Sequence, residues 1–476
     1  MTLSYSVIIA RKLGPAGIGI FGLSLAISNL LAEGSDLGLD YGVVRFGGIA
    51  RGMGDWGRLR STTRSAVRGC LIAGAIAGGA LATGSALGAE IFHKPSLLVL
   101  VPLAIAVPFT ATTEVLRAGL RAMGNAFRPV ASASLITPSL RLCTGVVAVL
   151  VVPSSRAVAL GYMGTEVVVC GITALMLWRL VPRVEGPREA PVKGLYRFSL
   201  PMSLNRIFLY SNNQTEIFFL GIFAPAATLG IFFVSRRLSL LLSSLLASIA
   251  LLFNPMAAEL HHSGRMDELD HVFKTATRWL LTIGLPVCLI EVLFSPLILK
   301  IFGKGYAAGA TALAILALGQ LVNVGTGTVA NLQAMTGFAK ITLLNSLLFL
   351  TLSIILDLLL IPSVGIVGAA LANSTSLVAV NVLRLWQIHR NLGLTPYDRS
   401  FLRPVAAAVP AALVGHFVPL EHLQDAFELL ARAAVLGVVY LGCLSALGFE
   451  PIDREIARAV VARLRNRRFE TSPDDS

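Results

Sequence analysis

Four arginines lie deep inside apolar stretches of this sequence: Arg141, Arg206, Arg236 and Arg237. An ionised side chain near the centre of a bilayer costs about 2.5 to 3.5 kcal/mol on insertion scales, so it needs water, a partner or a ligand. A guanidinium can bind phosphate oxygens through two parallel hydrogen bonds. Arg141 therefore predicts an anion contact inside the protein, and an ion pair with Glu166 or Glu114 is the alternative interpretation.

The adjacent pair Arg236 and Arg237 cannot act as one unit. Neighbouring residues diverge by about 100° around a helix, so at most one of them points into a central cleft while the other packs against a neighbouring helix. Both are interpreted as candidate anion contacts.

The segment 198–223 is unusually polar for an apolar stretch, with Asn205, Arg206, Tyr210, Asn212, Asn213, Gln214 and Glu216. On a continuous helix, Arg206, Tyr210 and Asn213 share one face, and Asn205, Asn212 and Glu216 share the adjacent face. Lipid cannot solvate such a surface, so it predicts a water-filled cleft whose amides bind hydroxyl-rich ligands such as sugars. Interhelical hydrogen bonds of about 0.6 kcal/mol each are the alternative.

Glu33, Asp36 and Asp40 follow one another at i, i+3 and i+7, as an acidic stripe on a predicted helix. Three carboxylates this close cannot all stay ionised cheaply, which is a property that a proton- or sodium-coupled step requires. The stripe is therefore a candidate ion-coupling site. A position at the cytoplasmic interface would instead make Asp36 and Asp40 ordinary surface residues.

The composition determines what kind of protein must position these side chains. The chain has 476 residues, of which 55% are hydrophobic and 14% charged, whereas soluble domains average about 25% charged residues. About 14 membrane spans of ~20 residues would use most of the chain, which excludes a large extramembrane catalytic domain. The protein is predicted not to be an enzyme.

Charge and cysteine usage exclude further classes. The net charge of +13 is spread over short loops rather than gathered on a basic face, so no nucleic-acid partner is predicted. The five cysteines lie in apolar stretches without ligand spacing, so no metal and no cofactor is expected.

Thirteen apolar segments predict membrane spans: 17–44, 67–92, 97–119, 129–152, 157–178, 198–223, 226–253, 276–301, 308–331, 342–361, 365–388, 401–419 and 427–448. The apolar segment 1–10 is too short to cross and is interpreted as the end of a truncated helix 1. Two explanations stay open: a native start upstream of Met1, or an incomplete first lobe. With that numbering most Lys and Arg follow even-numbered helices, so those loops and both termini are expected in the cytoplasm.

Three matched signals indicate an internal duplication. Leu120 to Met123 recurs as Leu332 to Met335, and the turn at Pro153 recurs at Pro362. The stretch from Pro15 to Phe21 likewise matches 225–232. Their nearly constant spacing predicts two six-helix units related by an axis along the membrane normal, since six is an even number of crossings. Arg236 and Arg237 align with apolar residues of the first unit, which predicts an asymmetric site.

Several of these segments also carry a family resemblance. The segments that carry it are 12–15, 42–46, the repeated pair 120–123 and 332–335, and 365–370. They resemble the polysaccharide-transport branch of the multidrug, oligosaccharidyl-lipid and polysaccharide exporter superfamily. The resemblance implies an all-α integral membrane protein, two six-helix lobes with two extra C-terminal helices, and alternating access. It also implies a flippase that moves a polyprenyl-diphosphate-linked oligosaccharide from the cytoplasmic to the outer leaflet.

The expected layout has five parts: an N-terminal lobe (1–181), a cytoplasmic inter-lobe loop (182–197), a C-terminal lobe (198–390), two additional transmembrane helices (401–448) and a basic cytoplasmic tail (449–476). The expected location is the cell (inner) membrane. The tail predicts contact with anionic membrane lipids, and other polysaccharide assembly proteins are candidate partners. A multidrug-type exporter is the first alternative function, and a membrane enzyme of polysaccharide assembly is the second.

Overall fold

The computed structural model describes residues 3–91, 93–125, 127–182, 192, 194–418 and 425–448, and these residues form helices and connecting turns. Most of the predicted loop 182–197 and the whole predicted tail 449–476 lie outside the described residues. Helices dominate because a backbone in hydrocarbon must satisfy its own hydrogen bonds. The α-helices are α1 (Leu3–Ser35), α2 (Leu39–Gly52), α3 (Trp56–Ile91), α4 (Leu100–Ala122), α5 (Phe127–Ala131), α6 (Thr137–Val151), α7 (Ser155–Trp178), α8 (Leu195–Asn212), α9 (Thr215–Phe223), α10 (Ala226–His262), α11 (Met266–Leu293), α12 (Ser295–Lys300), α13 (Ala310–Gly325), α14 (Val329–Met335), α15 (Ala339–Leu392), α16 (Leu402–Phe417) and α17 (Asp425–Ala446).

Eleven helical stretches of the described chain are long and apolar enough to cross a membrane. Two of them, Tyr5–Gly52 and Lys340–Leu392, contain 48 and 53 residues. A straight helix of 53 residues would be about 80 Å long, far more than the ~30 Å hydrocarbon core. The predicted all-α integral membrane fold is confirmed, and the predicted spans 342–361 and 365–388 are joined in α15.

Glycines break the two long stretches. Gly14 has φ 68° inside α1, directly before Pro15, and Gly365 has φ 58° inside α15, shortly after Pro362. Glycine adopts positive φ without a steric penalty, and proline lacks the N–H that would continue the helix. The helical axis can therefore change direction at both points without a connecting loop.

The expected single helix over 17–44 is wrong. Helix α1 ends at Ser35 and α2 begins at Leu39, because Leu37 and Gly38 both have positive φ. The acidic stripe predicted on one helix is therefore distributed over the end of α1, the turn and the first turn of α2.

The described chain divides into two compact units. Unit 1 consists of Met1–Arg237, Leu299–Ala312 and Ser346–Ser376. Its central helix is α4, which packs against α1, α2, α3 and α7. Two apolar clusters hold these helices together, one around Leu39, Val115 and Leu195, the other around Leu59, Leu120 and Leu177.

Unit 2 consists of Leu238–Ile298, Leu313–Asn345 and Leu377–Ser476. One apolar cluster joins α10, α11, α14 and α15 through Phe253, Phe273, Leu332 and Ile388. Helices α16 and α17 pack against each other and against α11.

Within unit 1, α1 and α10 approach each other at two matched glycines of the duplication. A Cβ on Gly19 would lie 1.8 Å from the carbonyl oxygen of Ala226, and a Cβ on Gly230 would lie 1.9 Å from the carbonyl oxygen of Pro15. The two contacts are reciprocal, since Gly230 follows Gly19 by 211 residues and Ala226 follows Pro15 by the same 211 residues. Such reciprocity is the expected geometry at an axis that relates two parallel repeats.

Candidate functional site

One cavity in unit 1 brings together residues that the sequence singled out separately. Its volume is about 150 Å³, room for about five water molecules at ~30 Å³ each. Ligand pockets for drug-sized molecules span about 300 to 1,000 Å³, so the cavity is smaller than a typical ligand pocket in this conformation. The lining residues are Asn29, Ala32, Glu33, Asp36, Thr110, Ala111, Glu114, Arg141, Tyr162, Arg206 and Tyr210.

Arg141, on α6, is ion-paired across the helix interface with Glu166 on α7. Its Nη2 lies 2.6 Å and its Nε 3.1 Å from Oε1 of Glu166. Nη2 also donates to the hydroxyl of Tyr162 at 3.2 Å, and the guanidinium lies 4.7 Å from the centre of that ring. The structure thus contains the ion pair that was the alternative for Arg141. The guanidinium still lines the cavity, and its Nη1 has no hydrogen-bond partner among the described residues.

A π-helical turn, Ser132–Ile136, precedes α6 and is held by side chains of α4 and α7. Arg117 donates to Ser132 at 3.3 Å and to Thr137 at 2.9 Å, and Ser132 is hydrogen-bonded to Thr173 at 2.9 Å. Arg117 also forms an ion pair with Glu114 at 2.6 Å. Wide turns of this kind occur often at functional sites. Here the turn is fixed on both sides just before the helix that carries Arg141.

The guanidinium of Arg206, on α8, forms ion pairs with all three carboxylates of the acidic stripe. Its nitrogens lie 2.6 Å from Glu33 Oε2, 2.6 Å from Asp36 Oδ2 and 2.9 Å from Asp40 Oδ2. Asp36 is almost completely buried, with 1% of its surface exposed. Three carboxylates around one guanidinium leave an excess of negative charge, which a proton or an alkali cation would neutralise. The stripe therefore converges on one cation although it is not on one helix.

The expected continuous helix over 198–223 is wrong. Helix α8 ends at Asn212 and α9 begins at Thr215, with Gln214 outside helical geometry at φ −130°. Because of this break, Asn213 is exposed and donates to the carbonyl oxygen of Leu209 rather than sharing a face with Arg206 and Tyr210. Tyr210 does line the cavity.

Asn212 is not among the residues that line the cavity. Oδ1 of Asn212 is buried without a hydrogen-bond partner among the described residues. Asn205 belongs to α8, and its side chain lies outside the described residues.

Arg236 forms a second buried ionic cluster in unit 1. Its Nη1 lies 3.1 Å from Oε2 of Glu216, and the other oxygen of that carboxylate accepts from Asn373 at 2.6 Å. Glu216 is completely buried, so it does not face a cleft as the helical pattern had indicated. Asp357, also completely buried, has two carboxylate oxygens without a hydrogen bond in the described chain. Arg237, which follows Arg236 in the sequence, is half-buried.

Sequence reasoning missed three polar residues of the cavity: Asn29, Thr110 and Tyr162. Each lies in a mostly apolar helix, and isolated polar side chains in such helices are common at helix contacts, so the sequence alone did not mark them. The hydrogen bond from Tyr162 to Asn29, 3.3 Å long, joins α7 to α1. Only the fold shows that these residues meet.

A family model described as polysaccharide biosynthesis protein matches residues 8–310. A probable flippase, AglR of Haloferax volcanii, is 24% identical over 270 residues, which cover 54% of this chain and 56% of that protein. An uncharacterized membrane protein of Methanocaldococcus jannaschii is 22% identical over 230 residues, which cover 47% of this chain and 44% of that protein. The chain therefore spans about half the length of the curated relatives it matches.

Solved structures show the same fold over a longer part of the chain. The lipid II flippase MurJ, in an inward closed conformation, aligns with a TM-score of 0.73 at 14% identity, over 94% of this chain and 95% of that one. An inward-facing multidrug resistance MATE family transporter of the MOP superfamily aligns with a TM-score of 0.69 at 15% identity, over 82% of this chain and 94% of that one. At these identities the likeness concerns the fold.

Proposed function

The chain belongs to the polysaccharide biosynthesis protein family, in the polysaccharide-transport branch of the multidrug, oligosaccharidyl-lipid and polysaccharide exporter superfamily. We propose that it flips a polyprenyl-diphosphate-linked oligosaccharide or polysaccharide repeat unit. The proposed direction is from the cytoplasmic to the outer leaflet of the cell (inner) membrane, by alternating access. Both termini are proposed to lie in the cytoplasm.

The observation that carries this proposal is the cavity of unit 1, whose wall combines Arg141 and Arg206 with Tyr210 and Asn29. A lipid-linked glycan presents phosphate oxygens beside sugar hydroxyls, and guanidinium with amide and phenol groups offers complementary donors. The headgroup could not cross hydrocarbon without such a lining, because burying unpaired charge is prohibitively costly.

The pairing of Arg141 with Glu166 is compatible with this role. A guanidinium without a partner would be costly to hold inside the membrane while no cargo is bound, so Glu166 serves as the resting counter-ion. An arriving diphosphate carries more negative charge than one carboxylate and can bind the guanidinium through two oxygens. We therefore propose exchange of Arg141 from Glu166 to phosphate as the binding step.

We propose that the cluster of Glu33, Asp36, Asp40 and Arg206 couples this step to a proton or sodium gradient. Its excess negative charge favours uptake of a cation when Arg206 remains bound. If Arg206 turns towards the cargo, the three carboxylates lose their counter-ion and the demand for a cation increases. Cargo and cation would then be taken up together.

The remaining predicted residues are proposed as contacts in other conformations. Arg236, Arg237, Asn212 and Asn213 do not line the cavity, which is also too small for a glycan, and the side chain of Asn205 lies outside the described residues. Anionic membrane lipids and other polysaccharide assembly proteins are proposed partners. The proposed domain layout keeps the boundaries given above.

The test is translocation in proteoliposomes. The purified chain would be reconstituted with a fluorescent polyprenyl-diphosphate disaccharide, and its appearance in the opposite leaflet would be followed by quenching from outside. Transport of this substrate, but not of a lipophilic organic cation, is expected. Transport of the cation alone would instead identify a multidrug-type exporter.

A further inference from the structure

A chain of polar side chains crosses unit 2 and involves none of the residues discussed so far. Ser243 donates to Oε1 of Gln320 at 2.5 Å, and Asn323 donates to the same oxygen at 3.3 Å. Asn381 donates to Oδ1 of Asn323 at 2.9 Å, and Arg384 donates to Oδ1 of Asn381 at 3.3 Å. We call these five residues, on α10, α13 and α15, the amide ladder.

Arg384 fixes the polarity of the amide ladder. An arginine has only donors, so Asn381 must turn its oxygen towards Arg384 and its NH2 group towards Asn323. Asn323 must in turn accept with its oxygen and donate onward to Gln320. Every amide oxygen of the ladder thus accepts from a neighbour, while N–H groups remain in excess. Asn381 and Gln320 are buried, so the donors that a ligand can reach are those of the half-buried Arg384 at the end of the ladder. These donors suit ligands that bring oxygen acceptors.

Arg384 differs from the three arginines of unit 1 that the sequence analysis singled out and that form ion pairs. Arg141, Arg206 and Arg236 each contact a carboxylate within 3.1 Å. No carboxylate of the described chain forms an ion pair with Arg384, and its Nε is buried without a hydrogen-bond partner. A buried unsatisfied donor on a charged group is costly to leave unpaired. Asn381, its only hydrogen-bond partner in the described chain, is neutral.

The burial of the ladder is consistent with a binding role. Asn381 and Gln320 are 1% and 7% exposed, so their amides are held in place by packing, and Arg384 is half-buried and accessible. Arg384 precedes the end of α15 at Leu392 by eight residues, about 12 Å along the helix. In the proposed orientation this end of α15 faces the cytoplasm.

From this geometry we infer that the amide ladder, with Arg384 at its end, forms a phosphate-binding site in unit 2. Its ligand is the diphosphate group of the lipid-linked cargo as it enters from the cytoplasmic side. The inference rests on the proposed function for the identity of the ligand, whereas the affinity for a phosphate group follows from the guanidinium of Arg384, whose Nε has no hydrogen-bond partner in the described chain.

The test measures binding by isothermal titration calorimetry, with the full chain in nanodiscs of zwitterionic lipid. The probes are farnesyl diphosphate, farnesol and inorganic diphosphate. The variants are Arg384→Gln, Arg384→Lys and Asn381→Asp; the last is nearly isosteric and supplies Arg384 with a carboxylate. The matched control is Arg390→Gln, which removes the same charge from an exposed arginine that stacks on Trp386 at 5.2 Å.

We expect farnesyl diphosphate to bind the wild-type chain and farnesol not to bind. Arg384→Gln and Asn381→Asp should weaken farnesyl diphosphate binding about tenfold to a hundredfold, as loss of a charged hydrogen bond does. Arg384→Lys should weaken it less, and Arg390→Gln should leave it within about twofold, because an exposed charge contributes little. Wild-type affinity in both Arg384→Gln and Asn381→Asp would overturn the inference.

The two proposals fail in different ways. If the wild-type chain flips the lipid-linked glycan while Arg384→Gln binds farnesyl diphosphate normally, the site is wrong and the proposed function stands. If only inorganic diphosphate binds, and Arg384→Gln loses it, the phosphate site stands and the cargo is wrong. Nanodiscs with phosphatidylglycerol distinguish the source of the phosphate, since competition by that lipid would assign the site to bulk headgroups and overturn the assignment to cargo.

Discussion

The guanidinium of Arg141 and the carboxylate of Glu166 form an ion pair between α6 and α7, with 2.6 Å between Nη2 and Oε1. Arg141 lines the cavity, whereas Glu166 is buried and is not among the lining residues. The pair therefore combines two properties: it neutralises a charge inside the membrane, and it leaves that charge within reach of a ligand.

Arg141→Ala is expected to abolish translocation of the lipid-linked glycan. Because it leaves Glu166 buried without its counter-ion, it should also lower the free energy of unfolding by about 3 to 5 kcal/mol. Arg141→Gln/Glu166→Gln removes both charges and should recover most of that stability without recovering transport. Translocation in proteoliposomes and thermal unfolding in detergent measure the two effects, with Arg58→Ala, an exposed arginine, as the control. Transport at the wild-type rate in the double variant would remove Arg141 from the mechanism.

Transport is expected to slow when the coupling gradient is collapsed. Ionophores for protons and for sodium, applied separately to proteoliposomes, identify the ion. Asp36→Asn, which removes the most buried carboxylate of the cluster, should abolish the dependence on that ion, because the remaining carboxylates bind the cation less strongly. An unchanged rate under both ionophores would leave Glu33, Asp36 and Asp40 with a structural role as partners of Arg206.

Gly19→Ala is expected to disrupt folding or the packing of α1 against α10. The added methyl group would overlap a backbone carbonyl at 1.8 Å, and backbone cannot move aside as a flexible side chain can. Overpacking of this kind costs about 1 to 3 kcal/mol or more. Gly48→Ala, on α2, has nothing within 4 Å of the new methyl group and should be tolerated. Expression level and thermal unfolding compare the two, and equal stability would mean that the crossing can relax.

Cysteine labelling tests the proposed orientation. In a chain whose five cysteines have been replaced, Ala190→Cys in the inter-lobe loop should react only with reagents that reach the cytoplasm. Val152→Cys, in the turn between α6 and α7, should react from outside, since the two loops follow helices of opposite direction. External labelling of Ala190→Cys would reverse the orientation.

The fold class could be predicted from the sequence because long apolar segments have no other stable form in lipid. The convergence of Glu33, Asp36 and Asp40 on one site was also predictable, since near neighbours along the chain stay close even when the helix breaks. The helix boundaries were not predictable to the same degree. At residues 36–38 and 213–214 local backbone geometry ends a helix inside an otherwise continuous helical pattern.

The partner of each arginine could not be predicted in the same way. Glu114 and Glu166 were both candidates for Arg141, and the choice depends on how α7 packs against α6. The amide ladder gave no signal, because Gln320, Asn323 and Asn381 are separated along the chain and each has the local appearance of a residue at a helix contact. Such sites depend on tertiary packing, which local periodicity does not encode.

The reciprocal approach of Gly19 and Gly230 has an evolutionary consequence. In a symmetric ancestor made of two separate identical chains, the same glycine of both chains would have lain at this helix contact. One mutation would therefore have changed both sides of the contact at once. Gene fusion separates the two codons, so each can mutate alone, yet each still meets the backbone of the other half. The fused chain can thus diverge into unequal halves while this close helix contact is retained.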